Sequence, residues 1–334
     1  MTTSRSSSDR NFMEEIIMFS FAKSDIPYMR RFFSFATLAA IFFFSLAACT
    51  STPSKENEFK SPSDAVQALV TAAQSDDNKK LLAVLGPDAG ELISSGDETA
   101  DNQQRQNFLK AYEEQNRIES DGDKFVLVIG KNGWPFPIPL VKKGDRWVFD
   151  ASSGKEEILN RRIGRNEVNT IQVLLAIVDA QREYAMEDRD GDSLLNYAQR
   201  FISEPGKMNG LYWEAEAGEK SSPLGELIAN ARAEGYASDK TLNNPEPYHG
   251  YYYRILTAQG DNAAGGAYDY IANGRMIGGF AVLAYPAEYG NSGIMTLIVN
   301  HDGKVYQKDL GEKTDEQALK ITLYDPDETW TPVQ

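Results

Sequence analysis

Residues 155–188, KEEILNRRIGRNEVNTIQVLLAIVDAQREYAMED, form the longest segment of the chain with helical periodicity. Apolar side chains recur in it at steps of three and four residues, which places them on one face of an α-helix. Gly164 lies inside the pattern and would cost about 1 kcal/mol relative to alanine, so the helix could kink there. The pattern predicts one long helix that needs a partner sheet. Its apolar stripe consists of Ile163, Val168, Ile171, Leu174, Leu175, Val178 and Ala185.

The residues before this helix change from helical to extended patterns. Ser61-Pro62-Ser63-Asp64 is typical of a helix start, with a serine cap and a proline in the first turn. Helices followed by a meander of short strands indicate a small α+β domain at residues 59–152. The expected helices lie near residues 61–73, 76–85 and 99–116, and the expected strands near residues 125–129, 134–141 and 146–150.

The middle strand of this meander contains three prolines at alternate positions, Pro135, Pro137 and Pro139. Proline has no N–H group to donate, so one side of the strand lacks its donors. The pattern therefore predicts an edge strand, or a strand end protected against pairing.

The residues after the long helix are rich in strand patterns. A short helix is expected through Phe201 and another after Pro223, and Asp302-Gly303 predicts the turn of a hairpin. The long helix and this sheet would form a second domain at residues 153–334, with a hinge at residues 152–155. The predicted fold class is α+β, and the expected strands lie near residues 249–258, 279–285, 293–300 and 304–310.

The N-terminal residues have the layout of an export signal. Met29-Arg30-Arg31 precedes an apolar run at residues 32–48, and the 28 leading residues are either an over-extended start or an unusually long n-region of the signal peptide. Leu46-Ala47-Ala48-Cys49 resembles the lipobox of bacterial lipoproteins, and Cys49 is the only cysteine. The resemblance implies that residues 1–48 are removed, that Cys49 is acylated, and that residues 49–58 tether the fold to a membrane. The alternative is an uncleaved membrane anchor.

The position after Cys49 bears on the destination of the protein. Thr50 stands where an aspartate would, by resemblance to Gram-negative sorting, favour retention in the inner membrane. The sequence therefore predicts an exported protein of the outer membrane or periplasm if the host is Gram-negative.

The charge of the chain argues against nucleic acid as a partner. Lys and Arg number 34 against 49 Asp and Glu, for a net charge of −15. Binding to phosphate backbones depends on Lys and Arg contacts that release counterions. An acidic, soluble surface accounts for the same composition.

The usual catalytic motifs are absent from the sequence. There are two histidines, His249 and His301, and the chain contains no G-x-S-x-G, phosphate-loop, dinucleotide or H-E-x-x-H string. We therefore expect no enzyme. An acid–base hydrolase built on an Asp or Glu pair remains an alternative, because a single sequence does not locate such a pair.

Asp188, Asp190 and Asp192 have the alternating spacing of the first half of a calcium loop. The second half is missing, since Ser193 and Gln199 stand where a glycine and a glutamate are expected. The spacing makes Ca²⁺ the one candidate cofactor. Solvated acids that cap a following helix explain the same residues.

Aromatic side chains supply the candidate binding residues. Tyrosines cluster near the predicted strand ends, and each has an apolar ring and a polar tip that suit a ligand or partner surface. Packing on the face of the sheet is the alternative, because aromatic residues favour strands. The cluster comprises Tyr248, Tyr251, Tyr252, Tyr253, Tyr285 and Tyr289, and Trp134 with Phe136 forms a second candidate pair.

Four strings together resemble the bacterial domain-of-unknown-function 2950 family, over nearly all of the chain from Phe59 onward. The resemblance implies no activity. The first half is also similar to cystatin-like folds of the nuclear-transport-factor-two group, which are often hollow. The second half is similar to pilins and pseudopilins, but its helix follows a whole domain where theirs leads the chain. The strings are WPFPIPL from Trp134, RRIGRNE from Arg161, YHGYY from Tyr248 with ILTAQG from Ile255, and VYQKDLG from Val305.

These observations predict a lipid-anchored envelope protein that binds a partner or ligand without catalysis. One hypothesis is a module that binds an envelope protein or takes part in an assembly. Another is a small-molecule binder that uses the hollow of the first domain, with Trp134 and Phe136 on its wall.

Overall fold

The computed structural model describes residues 57–333, apart from 190, 192, 216, 217, 219 and 237–245. The mixture of helices and antiparallel sheets in this part of the chain confirms the α+β class. The cystatin-like and pilin-like resemblances stay predictions. The helices are α1 (Pro62–Gln74), α2 (Asn78–Leu85), α3 (Gly90–Ile93), α4 (Glu98–Glu114), α5 (Ala151–Tyr184), α6 (Gly225–Ala233) and α7 (Thr314–Ala318).

The first helices begin and end where their local chemistry predicts. Ser61 caps α1 by accepting the N–H of Asp64 at 3.1 Å, and Asp77 caps α2 by accepting the N–H of Lys79 at 2.9 Å. Helix α2 ends at Leu85 because Gly86 turns the chain with a positive φ of 96°.

The first sheet is antiparallel, in the order β1-β2-β4-β5, and β3 also pairs with β2. The predicted strand at residues 134–141 is wrong in one respect, because it is two strands separated by the prolines. Without those N–H groups the ladder breaks, and β4 lies between β2 and β5 instead of at an edge. The strands are β1 (Asn116–Asp121), β2 (Lys124–Ile129), β3 (Trp134–Pro135), β4 (Leu140–Lys143) and β5 (Arg146–Phe149).

Helix α5 is one continuous element of 34 residues. Asp150 caps it by accepting the N–H of Ser153 at 3.2 Å and the hydroxyl of Ser152 at 2.9 Å. The residues of the predicted hinge, 152–155, form the first turn of this helix, and the hinge itself stays a prediction. Gly154 is buried there, and a Cβ atom at this position would lie 2.5 Å from the carbonyl oxygen of Pro137.

The buried stripe of α5 differs in part from the prediction. Ile163, Leu174 and Val178 are buried as expected, but Val168 is 56% exposed. Other buried positions, Val173 and Ile177, complete the face that packs in the second half of the molecule. The buried face shifts around the helix axis along α5, because the two ends of the helix pack against different hydrophobic clusters.

The second sheet is a five-stranded antiparallel array in the order β14-β13-β12-β11-β6. The turn at Gly303 joins β12 and β13, as predicted for the hairpin. Two short ladders, β7 with β8 and β9 with β10, extend this half. The strands are β6 (Tyr251–Leu256), β7 (Ala258–Gln259), β8 (Tyr268–Asp269), β9 (Ile271–Ala272), β10 (Arg275–Met276), β11 (Ala281–Pro286), β12 (Met295–Asn300), β13 (Tyr306–Asp309) and β14 (Thr331–Pro332).

The predicted short helix through Phe201 is wrong. Ala198 is held instead by the side-chain amide of Gln181, which accepts its N–H and donates to its carbonyl, both at 2.8 Å. The N–H of Tyr197 donates to the carbonyl of Met276 at 2.8 Å. Backbone groups that a helix would have used internally are thus paired with other segments.

Two hydrophobic clusters lie within one compact unit that contains all the described residues. One cluster is formed by α1, α2, α4 and the first sheet, and the other by the C-terminal half of α5 with the second sheet. Helix α5 contributes to both. The domain division at residues 152 and 153 stays a prediction.

In the described part of the chain, no helix combines the length and the hydropathy of a membrane span.

Candidate functional site

A cavity of about 690 Å³ is lined by α1, α2, α4, α5 and the first sheet. Its floor consists of buried apolar side chains, among them Leu69 of α1, Leu81 and Leu85 of α2, and Ile129 of β2. The volume is within the roughly 300–1,000 Å³ of small-molecule sites. The cavity lies in the half of the chain where the small-molecule hypothesis requires a hollow.

Trp134 and Phe136 both line this cavity. Their rings meet edge to face at 6.3 Å, and Phe136 also lies 5.4 Å from the ring of Phe108. Trp134 is 39% exposed, while Phe136 is partly buried. The pair therefore reaches from the surface into the apolar interior, and the proline-broken segment between β3 and β4 holds Phe136 in place.

The N-terminal half of α5 supplies a polar wall to the cavity. Ile158, Arg161, Arg162 and Arg165 all line it, and their spacing of three and four residues places them on one side of the helix. The guanidinium of Arg161 lies 5.6 Å from the centre of the Trp134 ring and pairs with Glu157. The RRIGRNE string therefore combines helix-forming residues with a cationic face.

Arg162 is buried, with 3% of its surface exposed, and its Nη1 and Nη2 groups are directed at fixed acceptors, while Nε has no partner within the described residues. It donates to the carbonyls of Glu91 at 2.8 Å and Leu92 at 2.7 Å, and to the side chain of Asn291. Burial lowers the pKa of Arg162, and the carboxylate of Asp101 acts in the opposite direction. Arg162 thus joins the α3 region to the loop before β12.

The two residues that end the RRIGRNE string bind the same loop. Asn166 donates to the carbonyl of Ser292 at 2.8 Å, and Glu167 accepts the N–H groups of Ile294 at 3.1 Å and Met295 at 3.0 Å. One turn of α5 therefore fixes the start of β12 in the second sheet, next to the wall of the cavity.

The cavity is locally cationic in an acidic protein. Five basic and two acidic side chains line it, although the whole chain carries a net charge of −15. Arg105 pairs with Asp76 and donates to Asn78 at 2.8 Å. Lys131 and Arg165, both exposed, make no hydrogen bond or ion pair within the described part of the chain.

Asp97 and Asp101 stand one turn apart at the start of α4, and Asp101 lines the cavity. Burial raises the pKa of both carboxyls, against several hydrogen bonds that lower it. Asp97 accepts the N–H of Ala100 at 3.0 Å, and Asp101 accepts the N–H of Ser95 at 2.8 Å. These bonds are those of a helix start. The carboxylate-hydrolase alternative stays a prediction.

Asp97 also connects to a second titratable group. It accepts the hydroxyl of Tyr236 at 2.9 Å and the N–H of Gly250, and the residue before that glycine is His249. The Nε2 atom of His249 lies 3.6 Å from a carboxylate oxygen of Glu234. Burial and, to a smaller extent, the charge of Arg165 lower the pKa of His249 to about 4. His249 is therefore neutral at neutral pH.

The predicted tyrosine cluster separates into different environments. Tyr251 is fully buried in the second core, where its hydroxyl donates to the carbonyl of Met295 at 3.0 Å. Tyr248, Tyr252 and Tyr253 line a second cavity of about 360 Å³. Tyr289 lies apart, with its hydroxyl 3.3 Å from Asp309. Among the candidates Tyr248, Tyr251 and Tyr253, the first and last line this second cavity.

The calcium candidate and the lipidation site fall largely outside the described residues. Asp190 and Asp192 lie outside them, as do Cys49 and the predicted signal peptide. Asp188 is described, and its carboxylate accepts the N–H groups of Gly191 and Ser193, both at 2.7 Å. Within the described residues, no group of three or more His, Cys, Asp or Glu side chains is arranged to hold a metal ion. The calcium and lipid sites stay predictions.

Sequence reasoning located the aromatic pair of the cavity but not its charged residues. The sequence shows Arg161 and Arg162 as neighbours, with Arg165 one turn further along the helix. Their inward direction depends on a cavity formed by segments as much as a hundred residues earlier in the chain. The sequence around Asp97 indicates a helix cap and does not indicate its contacts with Tyr236 and Gly250.

The fold and site define an α+β protein with a cationic, largely apolar cavity in its first half. The chain belongs to the family of proteins of unknown function DUF2950, whose model matches residues 56–333. No curated protein and no solved structure matches the chain.

Proposed function

We propose that the protein is a lipid-anchored binding module of the cell envelope that holds a small molecule in the cavity of its first half. The observation that supports this proposal is the cavity itself, about 690 Å³ in volume, with Trp134 and Phe136 on its wall. Its apolar floor favours an apolar ligand, because burial of apolar surface gains roughly 25 cal/mol per Å². The role requires no catalytic group.

The aromatic pair suits this role physically. Trp134 presents a half-exposed ring near the mouth, and Phe136 continues the apolar surface inward to Phe108. Aromatic rings offer large contact areas with few rotatable bonds, so they lose little entropy when a ligand is bound.

Titration with N-phenylnaphthylamine, an uncharged dye that fluoresces in apolar surroundings, tests the cavity. We expect saturable binding of one dye per protein. Ala111→Trp places an indole on the cavity wall and should abolish it. Lys110→Trp adds the same group at the exposed neighbouring position, outside the lining, and should bind as the wild type does. Equal binding by both variants, with cooperative unfolding retained, would contradict the proposal.

The membrane anchor has its own test. Cys49→Ala should abolish labelling with a radioactive fatty acid and release the protein from membranes. Unchanged acyl labelling would refute the lipid anchor and leave the cavity proposal intact.

A further inference from the structure

We infer that the molecule held in the cavity is an amphiphile with an anionic head, a carboxylate or a phosphate monoester, that Arg165 and Lys131 bind. This inference rests on the proposed function, because it assigns a ligand class to the same cavity. It depends on three features of the wall: its net positive charge, the partners of each basic residue, and the order of exposed and buried side chains.

The charge of the lining is opposite to that of the chain. Five basic side chains against two acidic ones surround an apolar floor, in a protein with fifteen more acidic than basic residues. A cavity for an uncharged or cationic molecule gains nothing from such a wall. An anion that enters the cavity meets a favourable potential, because the electrostatic attraction to each basic residue is stronger beside a low-dielectric wall.

Three of the five basic residues already have partners. Arg105 binds Asp76 and Asn78, Arg161 binds Glu157, and Arg162 donates to two carbonyls and to Asn291. Arg165 and Lys131 have no such partner within the described residues. Arg165 stands one turn beyond Arg161 on α5, where two like charges disfavour the helix by a few tenths of a kcal/mol. An anion bound near Arg161 and Arg165 offsets the repulsion between their charges.

The exposed and buried members of the lining give the ligand a direction. Lys131, Trp134 and Arg165 are exposed and mark the mouth. Leu69, Leu81 and Ile138 are buried and mark the floor. A ligand with its charged end at the mouth and its hydrocarbon against the floor matches both. The guanidinium of Arg165 is suited to the head, because its planar donors bind carboxylate or phosphate in a bidentate manner.

Calorimetric titration of residues 50–334, which contain the compact unit and lack the proposed lipid site Cys49, with three probes of equal carbon number tests the inference. The probes are octyl phosphate, octanoate and octanol, and inorganic phosphate tests the head group alone. We expect both anions to bind more than tenfold tighter than octanol, and inorganic phosphate to bind weakly. A hydrogen bond to a charged group contributes about 1.5–3 kcal/mol, which corresponds to a tenfold or larger change in affinity. The preference should fall as salt is raised, since the mouth is open to solvent.

Variants assign the preference to Arg165 and Lys131, the two lining cations that have no partner within the described residues. Arg165→Gln and Lys131→Gln should each weaken the anionic probes by about tenfold or more and leave octanol unchanged. Arg146→Gln, on β5 and outside the cavity lining, is the matched control and should change nothing. Circular dichroism and unfolding midpoints confirm that each variant folds.

The outcomes separate the two proposals. Equal affinity for octanol and the anions, unaffected by Arg165→Gln, overturns the anionic head while the apolar cavity stands. If neither the probes nor the uncharged dye binds to the wild type, both proposals fall. Inorganic phosphate bound as tightly as octyl phosphate identifies a simple anion site and overturns the amphiphile.

Discussion

The carboxylate of Asp97 accepts the backbone N–H of Gly250 at 2.8 Å, across 153 positions of sequence. This contact joins the start of α4 in the first half to the turn that leads into β6 in the second. Gly250 adopts a positive φ of 77°, and a Cβ atom there would lie 2.6 Å from the side-chain amide of Asn166. The close approach of these segments requires a glycine.

Asp97→Ala should lower the free energy of unfolding by about 2–5 kcal/mol, because it removes the acceptor of the buried Gly250 N–H and of the partly buried Tyr236 hydroxyl. Urea titration measures the change. Asp123→Ala, at an exposed turn between β1 and β2, is the control and should stay within about 0.5 kcal/mol of the wild type. Equal stabilities for the two variants would show that the Asp97 contacts contribute nothing.

His249 should make the protein less stable as the pH falls from 6.5 to about 4. Its pKa is lowered to about 4 in the fold, so in this window the unfolded chain takes up a proton at His249 and the folded chain does not. The lost stability is at most about 3 kcal/mol, from 1.36 kcal/mol per pH unit. Asp97, Asp101 and Glu234 act with the opposite sign, because burial raises their pKa values.

Comparison with His249→Asn separates the contribution of His249 to the pH dependence of stability from the contributions of those carboxyls. Asparagine tolerates the positive φ of 53° at this position, so the turn should survive. The stability of the wild type relative to the variant should fall between pH 7.5 and pH 4.5, the range in which the unfolded histidine titrates. The matched control His301→Asn leaves His249 in place and should retain the dependence. A constant difference between wild type and His249→Asn would disprove the prediction.

Two glycines of α5 should respond to alanine with opposite signs. Gly164→Ala should stabilise the protein by about 1 kcal/mol, since nothing lies near the new Cβ atom and alanine favours a helix. Gly154→Ala should destabilise it, because the new Cβ atom would meet the carbonyl of Pro137 at 2.5 Å. Thermal unfolding midpoints measure both, and each variant serves as the control of the other. Stabilisation by both would mean that the contact with Pro137 relaxes without cost.

Calcium, if bound at Asp188, Asp190 and Asp192, should raise the unfolding midpoint. At a hundred times the dissociation constant the gain is about 2.7 kcal/mol. Differential scanning calorimetry in millimolar calcium, with magnesium as the control, measures it. Asp190→Asn should remove the effect. An unmoved midpoint in calcium removes the site.

The elements with strong periodicity and clear caps were the most predictable. Ser61 and Asp77 cap their helices, and the central strands β11 and β12 of the second sheet follow short runs of mainly apolar residues that are almost entirely buried. The edge strand β1 was missed because its sequence, NRIESD, is polar and mostly exposed, which leaves no alternation to detect. The helix expected before Phe201 was wrong because Gln181, a residue of α5, binds the backbone of Ala198 in an extended form.

The cavity was only partly predictable for the same reason. Trp134 and Phe136 stood out as aromatic residues in a proline-rich strand, and both line it. The direction of Arg165 depends on the phase of α5 relative to the first sheet, which no local pattern encodes. The direction of such side chains is therefore set by contacts with residues distant in the chain and not by local propensity.

Because α5 runs unbroken from Ala151 to Tyr184, its angular phase is shared by everything packed against it. Insertion of one residue between Arg165 and Val173 would turn the two ends by about 100° relative to each other. Arg162 and Arg165 would leave the cavity wall if Val173 and Ile177 kept their places in the second core. Single-residue insertions and deletions in this segment should therefore be excluded among functional relatives, whereas the loops elsewhere are free to vary in length.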